Sequence, residues 1–131
     1  MLGRYRNRVT VMQEDGVEML GPFLTARAKT FAYVDPPYLT QGSELYLVAM
    51  DWEAHQRLAR LLQRTRGQWL ITYDRDERVP GELYAGRRCA AFDIAHTAAT
   101  QHVGSEYAVF SDSLTLATLD GLGNRASFVG A

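Results

Sequence analysis

An α/β fold built on a parallel strand pair is what this sequence predicts, and three observations predict it. A short aromatic and β-branched run, Phe31-Ala32-Tyr33-Val34, is cut off by Asp35-Pro36-Pro37-Tyr38. Two prolines supply no N–H to a ladder, so the strand has to end there. An amphipathic helix follows from Asp51, and a second buried run, Trp69-Leu70-Ile71-Thr72-Tyr73, again ends in an acid, Asp74. Strand, covering helix and strand make a βαβ crossover, which calls for parallel pairing and a right-handed connection.

The bulk composition agrees with one folded unit. A chain of 131 residues buries roughly two-thirds of its unfolded surface as a single domain. With 47% hydrophobic and 22% charged residues it reads as globular rather than disordered. Fourteen basic and fifteen acidic residues leave a net charge of −1, which does not advertise a polyanion-binding surface. The lone Cys89 excludes an internal disulfide and a cysteine-based zinc cluster. No apolar run reaches the length of a signal peptide or a membrane span, so a cytoplasmic location is expected.

In chain order, Arg8-Val9-Thr10-Val11-Met12 alternates with β-branched residues and predicts a strand ending at Gln13 to Gly16. Val17, Met19 and Leu20 predict a helical turn broken at Gly21-Pro22. Asp15 is placed to cap that turn. After the Phe31 strand comes a loop over 39–50 holding Gly42, Leu45-Tyr46 and Leu47-Val48. Asp51 then caps the clearest helix, in which Ala54, Leu58, Leu61, Leu62 and Thr65 form one apolar stripe and Arg57, Arg60 and Arg64 share the other side. The arginine row reads as a solvated face or as a contact for phosphates. Gly67 stands where a helix stop belongs. His55 lies clearly on neither stripe and is assigned no chemistry.

Beyond Asp74, residues 76–80 predict a charged turn and Glu82-Leu83-Tyr84 a brief helix. Arg88 to Ile94 and Glu106 to Phe110 predict strands separated by a polar loop carrying His96 and His102. Neither histidine has Cys, Asp or Glu at ligand spacing, so no metal is predicted. The tail over 114–131 carries no readable pattern and is expected to be partly mobile.

The stretch that carries chemistry is Asp35-Pro36-Pro37-Tyr38. It places a carboxylate, two residues of pre-set φ and an aromatic ring at the carboxyl edge of a strand, where open α/β sheets form ligand crevices. The Asp35 carboxylate and the Pro36 carbonyl both accept hydrogen bonds and suit the two N–H groups of an amine. Tyr38 offers a stacking surface for a heterocycle, worth about 1–3 kcal/mol. A proline-rich turn with a capping Asp is the plainer reading of the same four residues.

Taken with Gly42, Leu45-Tyr46, the His55-x-x-Leu58-Ala59-x-Leu61-Leu62 helix and Gly67 to Asp74, this quartet resembles the second half of the Dam-type adenine-specific DNA methyltransferases. The similarity runs from about Arg8 to about Ser111. The resemblance implies an incomplete Rossmann-like methyltransferase sheet with covering helices, closed by an antiparallel pair. It implies S-adenosylmethionine as cofactor and DNA adenine as target, with Asp35, Pro36, Pro37 and Tyr38 at the catalytic position. Asp15 matches a residue contacting the cofactor's adenine, unless it only caps the next turn. Tyr46 matches a residue near the target nucleotide, unless it packs on the following helix. Tyr73 flanks the target-base pocket or else fills the core.

The family's earlier strands, with their Phe-x-Gly-x-Gly turn and ribose-binding acid, have no counterpart in these 131 residues. Nor is there a DNA-recognition insert. The expectation is a truncated or split enzyme, completed by a separate chain or by a homodimer, or a non-catalytic remnant serving as a binding or dimerisation module. With the intervening strands missing, the Phe31–Val34 strand should be re-paired or present an open edge.

Overall fold

A computed structural model describes residues 4, 6–26, 29–39, 50–95, 103–116, 118–123 and 125–130. Two helices, α1 (Gly16–Ala26) and α2 (Trp52–Arg64), alternate with the strands β1 (Phe31–Val34) and β2 (Gln68–Asp74). They are followed by a five-residue π-helical turn (Val79–Leu83), the long strands β3 (Arg88–Ala95) and β4 (Val103–Phe110), a 3-10 turn (Asp120–Leu122) and a short β5 (Ser127–Phe128). The strands form one mixed sheet in the order β1-β2-β4-β3-β5.

The crossover has the expected form. β1 and β2 are parallel, with Phe31 opposite Gln68 and Val34 opposite Ile71. Between them α2 begins at Asp51, whose carboxylate accepts the Ala54 N–H at 2.7 Å and satisfies one of the orphan donors of the first turn. Its buried face is His55, Leu58, Ala59 and Leu62, at i, i+3, i+4 and i+7. That face lies on Trp69, Ile71 and Tyr73 of β2 in the main core, with Val79, Leu83 and Tyr84. His55 therefore belongs to the apolar stripe, a correction to its sequence reading.

β4 inserts between β2 and β3 and is antiparallel to both, with Asp74 opposite Glu106 and Arg88 opposite Phe110. This insertion puts a strand late in the sequence at the centre of the sheet.

Three further expectations are corrected. Residues 8–12 form no strand: Val9, Val11 and Met12 are 53%, 90% and 61% exposed. β propensity makes no strand without a neighbour to pair with. The helix begun at Gly16 continues through Pro22 to Ala26, because burial of Leu24 and packing of Val17 and Leu20 on the core outweigh the one hydrogen bond that proline forfeits. Gly67 is required by packing rather than by helix termination: a Cβ there would stand 2.9 Å from Leu24 Cδ2 and 3.2 Å from the Leu24 carbonyl oxygen. The described part of the tail is folded, laying Leu114, Leu116, Leu119, Leu122 and Ala126 over Ala90, Phe92, Ala108 and Phe110 and pairing β5 with β3.

β1 forms the border of the sheet among the described residues. Phe31 and Tyr33 on it are 49% and 59% exposed. Of the two outcomes foreseen for this strand, re-pairing or an open edge, the open edge is the one found among the described residues. No described helix is long and apolar enough to cross a membrane.

Candidate functional site

The rim at the carboxyl ends of β1 and β2 is built by the sheet register. Because Val34 stands opposite Ile71, the chain leaves β1 alongside Thr72. The Thr72 hydroxyl donates to Asp35 Oδ1 at 3.2 Å, and the Tyr33 hydroxyl lies 3.2 Å from the same Thr72 oxygen. Asp35 itself is exposed, Pro36 buried, and Pro37, Tyr38 and Leu39 half-buried. The proline pair thus anchors a turn that holds the carboxylate out toward solvent. No described group donates to the Pro36 carbonyl.

Two further bonds fasten the turn. Asp74, at the end of β2, accepts the Leu39 N–H at 2.9 Å, and the Tyr38 hydroxyl donates to Glu106 of β4. The turn over 35–39 is latched at three points, to Thr72, Asp74 and Glu106. Restricting a segment in this way lowers the entropy lost when it binds a ligand. Asp35, Asp74 and Glu106 make the rim rich in carboxylates, which accept N–H donors and favour positive charge.

Behind the rim lies a buried polar group. His55 Nδ1 is 2.9 Å from the Tyr73 hydroxyl, and the two rings are 5.5 Å apart. Tyr73 is 0% exposed and Tyr84 packs against it. Burial holds the His55 imidazole below its ordinary pKa, against the opposing pull of Asp74 and Asp51, and pushes both phenols well above theirs. His55 Nε2 finds no hydrogen-bond partner among the described residues.

The sequence-predicted residues are therefore distributed as follows. Asp35, Pro36, Pro37 and Tyr38 come together at the rim. Tyr73 lies on the opposite face of β2 from Thr72, inside the core, which is the packing role left open for it. Asp15 caps α1, its Oδ1 accepting the Val17 and Glu18 N–H groups at 2.9 and 3.2 Å, the capping role left open for it. Tyr46, with Gly42 and the two apolar pairs of its loop, lies outside the described residues, as do His96 and His102. Among the described residues no group of three or more His, Cys, Asp or Glu side chains is spaced to hold a metal ion.

Thr72 and Glu106 complete the site with Asp74, the acid already read at the end of the second strand, and carry no such signal in the sequence. Thr72 was within reach, because alternation along β2 sets it on the face opposite Tyr73. Glu106 was not, because its place depends on the insertion of β4 beside β2.

Comparison with models of known protein families gives no match, and comparison with curated protein sequences gives none.

Proposed function

We propose that this chain carries the target-base half of an S-adenosylmethionine-dependent DNA adenine-N6 methyltransferase, as a truncated or split form. The observation that carries the reading is the exposed Asp35 carboxylate, held by Thr72 at the end of a parallel strand and followed by a proline-fixed turn ending in Tyr38. Asp35 and the Pro36 carbonyl would accept the two N–H bonds of the adenine amino group. Transfer then relies on orientation and on stabilising positive charge at nitrogen rather than on a strong base. The neighbouring carboxylates Asp74 and Glu106 act in the same electrostatic sense. The antiparallel β3–β4 pair at the far side of the sheet also agrees with the resemblance.

The described residues form no site for S-adenosylmethionine. No glycine-rich turn follows any described strand, and Asp15 is occupied as a helix cap. On this reading the cofactor half would be supplied in trans or by further sequence, and no step of the transfer is assigned to residues here beyond positioning the amine.

The test is transfer of a labelled methyl group from S-adenosylmethionine to adenine in DNA, with this chain combined with one bearing the glycine-rich half. Asp35→Ala should abolish transfer while the fold is kept, and retained turnover would contradict the assignment.

A second reading is favoured by the open β1 edge with Phe31 and Tyr33 exposed: a non-catalytic module that binds or dimerises through that edge. Sedimentation of the chain together with the transfer assay separates the two, since a non-catalytic module self-associates or binds through that edge and gives no methyl transfer when the glycine-rich half is added.

A further inference from the structure

A groove of about 380 Å³ runs between α1 and α2, lined by Gly21 and Thr25 on one side and by Arg57, Arg60, Leu61 and Arg64 on the other. The three arginines are exposed and turned away from the buried face of α2. Arg57 reaches Glu53 at 3.5 Å, with both side chains largely in solvent, where such a pair holds weakly. Arg60 and Arg64 pair with no carboxylate among the described residues. No carboxylate lines the groove, and over residues 53–66 four arginines face one glutamate in a chain of net charge −1. Positive charge is thus segregated onto this face, while the rim carries carboxylates.

We propose that the α1–α2 groove binds the phosphodiester backbone of a nucleic acid strand. At 1.5 Å per residue the helix spreads Arg57, Arg60 and Arg64 over about 10 Å, a length along which one strand presents about three phosphates. Guanidinium groups match phosphate oxygens with two parallel hydrogen bonds, which suits a regular phosphate ladder better than the irregularly spaced carboxylates of an acidic polypeptide. Leu61 and Gly21 give the groove an apolar floor against which sugars can lie. The carboxylate rim repels phosphates, so the backbone of a bound strand is held in this groove rather than along the rim. The inference goes beyond methyl transfer and stands or falls by binding alone.

The experiment is fluorescence anisotropy with a short labelled single-stranded oligonucleotide at low salt, using the whole chain. The double variant Arg60→Glu/Arg64→Glu should bind at least tenfold more weakly, and the slope of log affinity on log salt should fall by about 1.4. Matched reversals at Arg6 and Arg125, exposed and outside the groove, should bind within about threefold of the parent once overall charge is allowed for. An oligothymidylate, which offers no amino group to Asp35, should bind as a mixed-sequence strand does, so failure of the methyl-transfer reading leaves this result untouched. Because Arg60 and Arg64 face solvent, melting temperatures should match. The proposal is overturned if the parent shows no binding, if the two double variants lose affinity equally, or if polyglutamate at equal charge displaces the oligonucleotide, which would assign the groove to an acidic polypeptide.

Discussion

The Thr72 hydroxyl donates to the Asp35 carboxylate across the parallel β1–β2 pair, at 3.2 Å. Since that proton is committed to Asp35, the Tyr33 hydroxyl, 3.2 Å from Thr72 Oγ1, is the donor in the second bond. Two hydroxyls in series orient one exposed carboxylate and leave its other oxygen open. Thr72→Val keeps the shape of the residue and removes this hold. Adenosine affinity should fall about fivefold, the equivalent of one ordinary hydrogen bond, measured by calorimetry. Unchanged affinity would show that Asp35 needs no orienting partner.

The pH dependence of stability should carry the mark of His55. Burial, the largest influence on it, lowers its pKa in the folded state, so below about pH 6.5 the unfolded chain binds a proton that the folded one refuses. Stability from this residue is complete above the unfolded value and is lost as pH falls below it. His55→Gln, which can still meet the Tyr73 hydroxyl, should flatten the loss of melting temperature between pH 7 and pH 5 relative to the parent. Parallel pH profiles for the two proteins would refute the assignment.

Gly67→Ala should destabilise the chain by about 1–3 kcal/mol, as overpacking does. The added Cβ meets Leu24 at 2.9 Å and its carbonyl oxygen at 3.2 Å, and Leu24 is buried at 3% exposure, so the helix cannot simply yield. Leu24→Ala in the same background should recover part of the Gly67→Ala loss. Denaturant unfolding of the two single variants and the double variant measures the coupling.

Cys89 should be silent to thiol reagents in the folded state. It is buried, and desolvation pushes its thiol pKa up to about 12, leaving almost no thiolate at pH 8. Labelling should occur only as fast as the chain opens, and should become complete in denaturant. Rapid modification under native conditions would mean that the β3–β5 pairing over Cys89 is open.

The elements legible in the sequence were those whose signals are local. Asp51 as cap, the 3.6-residue pattern of α2 and the proline stop after Val34 each depend on neighbouring residues, and with them came the parallel pairing. Pro22 does not stop the helix because the burial of Leu24, two residues on, outweighs local propensity. Val9 to Met12 misled because alternation describes a strand only when a neighbour exists to pair with. His55 was hidden by its polarity, since a histidine hydrogen-bonded to a buried tyrosine fills a core position that no hydropathy pattern assigns to it. Glu106 reaches Tyr38 only because β4 lies between β2 and β3, an order that no local signal encodes. Leu114 to Ala126 lacked a period because an irregular segment lying on a sheet needs none.

The central claim is that residues 35–38 form a rigid cradle for a planar amine, and the chain itself can be asked. In an amide-resolved NMR titration, deoxyadenosine should shift the signals of Asp35, Tyr38, Leu39 and Thr72, whereas its N6,N6-dimethyl analogue, which has no N–H to give, should leave them in place. Asp35→Ala should lose the response to deoxyadenosine. Equal shifts with both nucleosides, or no shift at these four amides, would contradict the account.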